Sequence, residues 1–245
     1  MISQREQTRT RAMSNHDHEL PARYQTRWQD EFERRVRLHL RDDVRILDLG
    51  SGRRPTVPVA ERPRNCFCLG VDISRGELEK APAGSYDGWR VADATRFVGD
   101  LENDFDLIVS WQVLEHVRPL ERAIENCRRY LRPGGTFVAL FSGTLSAVAL
   151  INRLVPQAVG IAAMKRLLGR DPETVFPAYY DGTWYRPLRA YFESWQSWEI
   201  VPLFRGADYF SFSRTLQQAY LLYENWAARG NRVNLATHYL VEAVR

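Results

Sequence analysis

The stretch Ile46-Leu47-Asp48-Leu49-Gly50-Ser51-Gly52 decides how this chain is read. A short apolar run ends in an acidic residue and breaks into two glycines separated by one residue. The pattern predicts a buried strand, a tight loop and then a helix. Glycine carries no Cβ, so backbone N–H groups in such a loop can approach a ligand closely. A second apolar run, Phe67 to Val71, closes on Asp72, about twenty residues beyond Gly52. In a strand–helix–strand unit this spacing sets a carboxylate beside a ribose, where it accepts hydrogens from both hydroxyls. An adenosine-type cofactor is therefore expected.

Working outward, strands and helices alternate from Arg45 to Ser142. Arg45–Leu49, Phe67–Val71, Trp89–Val91, Asp106–Ser110 and Thr136–Phe141 read as strands. Asp106–Ser110 is apolar between its end residues, as expected when both faces of a sheet are covered. Pro55 suits the first turn of a helix after the first strand, which Pro58 and Pro63 make short or irregular. Arg75–Lys80 reads as a short helix, Glu115 or Pro119 to Leu131 as a longer one, and Pro133-Gly134-Gly135 as a hard turn. Ahead of the first strand, Trp28, Phe32, Val36 and Leu40 form one apolar helical stripe, which can pack across the sheet or over the cofactor pocket. The alternation predicts a mainly parallel, doubly wound α/β sheet.

Beyond Ser142 the pattern changes. A helix is expected over Leu188–Trp198, a strand over Glu199–Phe204, a helix marked by Leu216, Tyr220, Tyr223 and Ala227 with Ser213 as N-cap, and a last strand over Thr237–Val244. Residues 1–20 are polar and expected to be disordered. Residues 21–245 then form a single domain: an N-terminal helix (21–43), a cofactor-binding core (44–143) and a substrate side (144–245).

The 245 residues are 44% apolar and 26% charged, the composition of a soluble globular protein. The net charge of +4 comes from scattered arginines and reads as a solvated surface rather than a nucleic-acid footprint. Three cysteines, Cys66, Cys68 and Cys127, suggest a reducing compartment, so a cytoplasmic location is expected. Cys66 and Cys68 read as core residues. His16 and His18 alone do not make a metal site, and no metal is expected. The first residues show no signal-peptide pattern, and no run of about 18 apolar residues suggests a membrane span.

Taken in order, the motifs resemble those of the class I S-adenosylmethionine-dependent methyltransferases, of a type acting in bacterial small-molecule or saccharide pathways. The matching segments are Ile46–Gly52, Gly70–Ser74, Asp93-Ala94, Phe105–Ser110 with Val113–Val117, and Leu131–Thr136. The resemblance implies a Rossmann-like fold with an antiparallel C-terminal strand and extra C-terminal helices. It implies S-adenosyl-L-methionine as cofactor, with Asp48, Gly50, Ser51 and Gly52 at its methionine end. Asp72 would hold the ribose diol, Asp93 would meet the adenine amino group and Ala94 the ring, with Ile73 also in the cofactor site and Ser110 and Trp111 at the strand end. Asp93 as a helix N-cap or turn residue is the competing reading. Arg54, followed by Pro55, stands where the family usually has a third glycine. Arg53 or Arg54 would there contact the methionine carboxylate or an anionic substrate, or else face solvent. A dinucleotide reading meets Pro55 at its own third glycine.

Methyl transfer is an in-line displacement that needs a positioned nucleophile and, for a hydroxyl, a proton acceptor. His116 is the candidate base, with Glu115 as the lesser candidate for that work or for a metal. Tyr179, Tyr180 and Tyr209 are candidate substrate residues within an aromatic wall or lid, against the reading of ordinary core. The apolar stretch Ser146–Leu168 suits either a helical cap or dimer face, which is favoured, or contact with lipid headgroups. The expected function is methyl transfer to an oxygen or nitrogen of a small-molecule acceptor, a secondary metabolite or sugar. The alternatives are a lipid-linked saccharide at a membrane surface, or a non-catalytic cofactor-binding protein of the same fold. No nucleic-acid partner is expected, because the Asn/Asp-Pro-Pro-aromatic tetrad and a basic aromatic platform are both missing. A monomer or homodimer is expected.

Overall fold

Strand β1 (Arg45–Leu49) buries four of its five residues and lies inside the sheet, hydrogen-bonded on both sides to parallel neighbours. A computed structural model of the chain describes residues 20–146, 149 and 179–245. The other strands are β2 (Phe67–Asp72), β3 (Gly88–Val91), β4 (Phe105–Trp111), β5 (Leu131–Ser142), β6 (Ser197–Leu203) and β7 (His238–Val244). They make one seven-stranded sheet in the order β3-β2-β1-β4-β5-β7-β6. β1 to β5 are parallel, and β7 runs antiparallel to both β5 and β6. The doubly wound α/β sheet with an antiparallel C-terminal strand is therefore present.

Five helices accompany the sheet among the described residues: α1 (Trp28–Leu38), α2 (Arg75–Glu79), α3 (Leu120–Tyr130), α4 (Tyr185–Phe192) and α5 (Arg214–Arg229). α1 lays Phe32 and Val36 on one face of the sheet, over Ile46, Leu107, Val109, Val138 and Leu140. α3 and α4 cover the opposite face, where Ile124, Cys127, Leu188 and Phe192 meet Leu47, Ile108, Phe137 and Phe141. Burial on both faces is why these strands read as nearly continuous apolar runs.

Two polar clusters position the rim. Arg35 is buried on α1 and reaches Glu199 and Glu242 at 2.6 and 2.8 Å, locking the helix to β6 and β7. Glu224 on α5 is buried and accepts hydrogen bonds from Arg23, the Tyr24 hydroxyl and the Gly206 N–H. It thereby holds the segment before α1 and the loop after β6 together.

Several local expectations differ from the structure. The segment after β1 that Pro55 was expected to start as a helix forms only a 3₁₀ turn, Val59–Glu61, since Pro58 and Pro63 each remove a helical donor. The helix expected over Leu188–Trp198 is α4, Tyr185–Phe192, and Trp198 belongs to β6. Tertiary pairing with β7 claims Trp198, whose strand propensity competes with the helical stripe before it. Ser213 precedes α5 as expected, without a side-chain capping bond. The Pro133-Gly134-Gly135 turn survives as a bulge, where pairing jumps from Phe105↔Leu131 to Leu107↔Thr136. The expectations for residues 1–19 and for most of Ser146–Leu168 lie outside the described residues.

Candidate active site at the carboxyl ends of the strands

Strand order reverses between β1 and β4, and in open α/β sheets ligands bind in the crevice outside the carboxyl ends of the strands at that switch point. The loop after β1 forms one wall. The Gly50 N–H donates to the Val71 carbonyl at 2.7 Å, carrying the β1–β2 ladder one step past the strand. Gly50 has φ +74°, and a Cβ there would lie 2.1 Å from Val113 Cγ2, so the loops after β1 and β4 touch at this residue. Gly52 also has positive φ, and its N–H donates to Asp72 Oδ2 at 2.9 Å. The other Asp72 oxygen accepts the Ser74 N–H at 2.8 Å. Burial raises the Asp72 carboxyl above the usual carboxylate range, and the two backbone donors oppose that shift.

Asp48 is fully buried, with both oxygens engaged by one residue: Oδ2 accepts the Thr56 N–H and Oδ1 the Thr56 hydroxyl, each at 2.6 Å. Burial pushes its carboxyl up to about 6, against the pull of the Thr56 bonds. Asp48 thus anchors the far end of the glycine loop. The Tyr86 hydroxyl supports the near end by donating to the Ser51 carbonyl at 3.1 Å. Arg53 is paired side-on with Glu77 of α2, both contacts at 2.7 Å, while Arg54 is exposed. Of the readings offered for these arginines, the structure gives Arg53 a carboxylate of this chain and leaves Arg54 at the surface.

The remaining predicted cofactor residues are arranged along the same edge. Ile73 is exposed beyond β2. Asp93 follows β3 and accepts both the N–H and the hydroxyl of Thr95 on Oδ1, a turn-forming arrangement; the Ala94 carbonyl accepts a hydrogen bond from the Asn126 side-chain amide at 2.8 Å. Ser110 is buried near the end of β4, and Trp111 beside it stacks on Trp28 of α1 at 5.1 Å and takes the Phe32 ring edge at 5.0 Å.

Beyond β4 the chain enters a tight polar segment. Gln112 has φ +54° and accepts the Ser142 hydroxyl on its side-chain oxygen at 3.1 Å. Glu115 is buried in the 3₁₀ turn Leu114–His116, where Oε1 accepts the Ser142 N–H at 3.3 Å. Burial raises its carboxyl, and neighbouring His116 draws it back. The Tyr180 N–H donates to the Glu115 carbonyl at 2.9 Å, bringing one predicted substrate residue to this segment. Tyr179 is exposed. Tyr209 lies elsewhere on the rim, its hydroxyl 3.4 Å from His238 Nε2.

Five buried polar atoms along this edge lack a hydrogen-bond partner among the described residues: Ser51 Oγ, Ser110 Oγ, Gln112 Nε2, Glu115 Oε2 and His238 Nδ1. Buried polar groups are ordinarily paired, so a row of unsatisfied ones on one edge marks a place built to meet a ligand. Two donors or acceptors beside the glycine loop, together with Asp72, suit an adenosine-bearing cofactor. Among the described residues no group of three His, Cys, Asp or Glu side chains could hold a metal ion. Sequence reasoning missed Thr56, Gln112, Ser142 and His238. No motif spacing announces them: Thr56 acts through a loop that folds back on Asp48, and Gln112, Ser142 and His238 meet where the ends of β4, β5 and β7 come together.

A glycine loop, an acidic residue ending the next strand and a crevice at the switch point define a Rossmann-like cofactor-binding α/β protein. Comparison with known proteins narrows this class. A family model described as a methyltransferase domain matches residues 17–210. The chain belongs to that family, the class I S-adenosylmethionine-dependent methyltransferases. A ubiquinone biosynthesis O-methyltransferase of Chelativorans sp. is 32% identical over 115 residues, covering 44% of this chain and 45% of the relative. The alignment thus spans about half the length of the relatives it matches. A S-adenosylmethionine-dependent methyltransferase from Archaeoglobus fulgidus shares the fold, with TM-score 0.53 at 16% identity over 89% of this chain and 98% of that one. Phosphoethanolamine N-methyltransferase 2 of Haemonchus contortus, solved with S-adenosyl-L-methionine, has TM-score 0.52 at 13% identity over 89% of this chain and 52% of that one.

Proposed function

We propose that this chain transfers the methyl group of S-adenosylmethionine to an oxygen or nitrogen of a small-molecule acceptor. The observation that carries this reading is the row of unsatisfied buried groups running from the glycine loop to β7. The sequence relatives are named O-methyltransferases, which favours oxygen.

The cofactor supplies a methyl carbon already activated by positive sulfur; the chain's residues bind, orient and move a proton. In this reading Asp72 holds the ribose diol while retaining the Ser74 N–H. The Gly50-Ser51-Gly52 backbone and the Ser51 hydroxyl receive the methionine end. Asp48 fixes the loop through Thr56 and adds negative field beneath a cationic ligand. Asp93, Ile73 and Ala94 flank the adenine, and Ser110 with Trp111 closes the crevice on the β4 side. His116 takes the acceptor's proton, with the Glu115 carboxyl beside it to stabilise the imidazolium. Calorimetric titration with S-adenosylmethionine and S-adenosylhomocysteine, with NAD as control, tests the reading. Binding of the sulfur compounds alone supports it; binding of NAD alone overturns it.

A second reading, an acceptor presented at a membrane surface, is favoured by α5. Leu216, Leu222, Tyr223 and Trp226 fall on one side of that helix, and Leu216, Leu222 and Trp226 are exposed. Among the described residues no helix is long and apolar enough to cross a membrane. Sedimentation with anionic vesicles separates the two readings, since absence of co-sedimentation at physiological salt removes the second.

A further inference from the structure

His238 opens β7 directly opposite Ser142, the last residue of β5, so their side chains share one face of the sheet at its carboxyl edge. Trp111 lies on the same face through its pairing with Leu140. The imidazole is 1% exposed and stacks on Trp28 at 4.6 Å with an interplanar angle of 21°. The Tyr209 ring lies nearly parallel to it at 6.3 Å. Trp28 and Tyr209 therefore lie against the imidazole, and Trp111 stacks on Trp28, next to a histidine that no motif of the cofactor site contains.

Its two nitrogens differ. Nε2 is 3.4 Å from the Tyr209 hydroxyl, whereas Nδ1 is buried with no partner among the described residues. With the proton on Nε2, facing the Tyr209 oxygen, Nδ1 is a bare lone pair. The other tautomer buries an N–H without an acceptor, which is the rarer and costlier arrangement. Ser142, the register partner of His238, donates its hydroxyl to Gln112, whose Nε2 is also unsatisfied.

We propose that His238 is the polar anchor of the acceptor site: Nδ1 accepts a hydrogen bond from the O–H of a flat, ring-bearing acceptor packed among Trp28, Trp111 and Tyr209. The proposal rests on the methyltransferase reading. It assigns His238 a specificity role: the hydroxyl held on Nδ1 is separate from the atom that is methylated, whose proton goes to His116, and an acceptor without that hydroxyl gives Nδ1 no hydrogen. A site built to pair a hydroxyl rejects the analogue lacking it, because the buried group is left unsatisfied.

Phenol and anisole are the probes, since they differ in that one group. Each is titrated into the full chain saturated with S-adenosylhomocysteine and followed by NMR with ¹⁵N-labelled histidine. Phenol is expected to bind about tenfold more tightly than anisole, the scale of one buried hydrogen bond, and to move the His238 Nδ1 resonance. His238→Phe keeps the ring stack, so S-adenosylhomocysteine affinity stays unchanged while the preference for phenol falls to about onefold. His238→Asn restores an acceptor and part of the preference. Equal binding of the two probes by the unmodified protein overturns the proposal, as do a preference that survives in His238→Phe and a failure of both probes to bind. Should the variants not fold, the Nδ1 resonance decides alone: movement with phenol supports the anchor and a fixed resonance overturns it. Failure of S-adenosylhomocysteine to bind refutes the methyltransferase reading separately, and the phenol–anisole comparison in the cofactor-free chain still tests His238.

Discussion

Asp48 and Thr56 form a closed pair: one carboxylate, fully buried, takes both the backbone N–H and the hydroxyl of one threonine at 2.6 Å. The loop between them carries both glycines of the first motif, so the pair sets the loop's span. Thr56→Val removes the hydroxyl donor and keeps the shape. It is expected to lower stability by about 1.5–3 kcal/mol, the scale of a hydrogen bond to a charged group, while Thr56→Ser stays near the parent in urea denaturation. The Asp48 carboxyl lies at about 6 in the fold against an ordinary 3.8. Its contribution to stability is therefore full below 3.8 and lost as pH rises through about 6. The penalty for Thr56→Val is accordingly largest above that range and shrinks in acid; a penalty independent of pH would show that Asp48 is not its source.

Gly50 meets two constraints at once, a left-handed φ of +74° and the Val113 methyls. Gly50→Ala is expected to cost at least about 2 kcal/mol, backbone strain and overpacking combined. Val113→Ala in the same chain relieves the steric part alone. A double-mutant cycle is expected to give coupling of about 1 kcal/mol, and strict additivity would mean the two loops part without cost.

Asp72→Ala removes the proposed ribose acceptor and frees the Gly52 N–H. Affinity for S-adenosylhomocysteine is expected to fall by about 1.5–3 kcal/mol, measured by calorimetry. Unchanged affinity would move the ribose away from β2.

For His116→Ala the split between binding and turnover is the informative quantity. Slower turnover at nearly constant cofactor affinity is the expected result for a base. Parallel losses in both would assign His116 to the shape of the pocket.

His238 offers a titration without motif residues. Burial, with Arg205 as the lesser cause, pulls its imidazole down to about 4 from 6.5. A depressed histidine adds stability that is full above 6.5 and lost as pH falls toward 4. Between pH 7 and pH 5 this loss is about 2 kcal/mol. His238→Phe lacks the group, so the gap between variant and parent is expected to change by that amount in the variant's favour on acidification. Parallel pH profiles in urea denaturation would show that the imidazole titrates normally.

The sequence was most legible where local pattern and tertiary demand agree. The pattern predicts β1 over Arg45–Leu49 and the structure has it there, since a short β-branched and leucine run before two glycines has few other uses. The stripe Trp28, Phe32, Val36 and Leu40 leaves two placements open, across the sheet or over the pocket, and the structure packs Phe32 and Val36 of α1 on the sheet, with Leu40 beyond the helix end. Legibility failed after β1, where three prolines compete with a helix, and at Trp198, which strand pairing claimed. At the candidate site the sequence singles out Asp48, Gly50, Gly52 and Asp72, and the structure gathers them at the carboxyl ends of β1 and β2. The tie between Asp48 and Thr56 is not legible in the sequence, since a threonine eight residues downstream carries no periodic signal.

What the sequence by itself determined is the part written in neighbouring residues: the alternating elements, the glycine loop, the acidic residue closing β2 and hence the family. Such features depend on backbone conformation and short spacing, which local residue types dictate. What only the tertiary structure decided is which side chains from distant segments converge. Trp28, Trp111 and His238 come together because α1 crosses the strand ends and β7 inserts antiparallel between β5 and β6. Register across that insertion sets His238 against Ser142, and a slip of one residue would turn its ring to the other face.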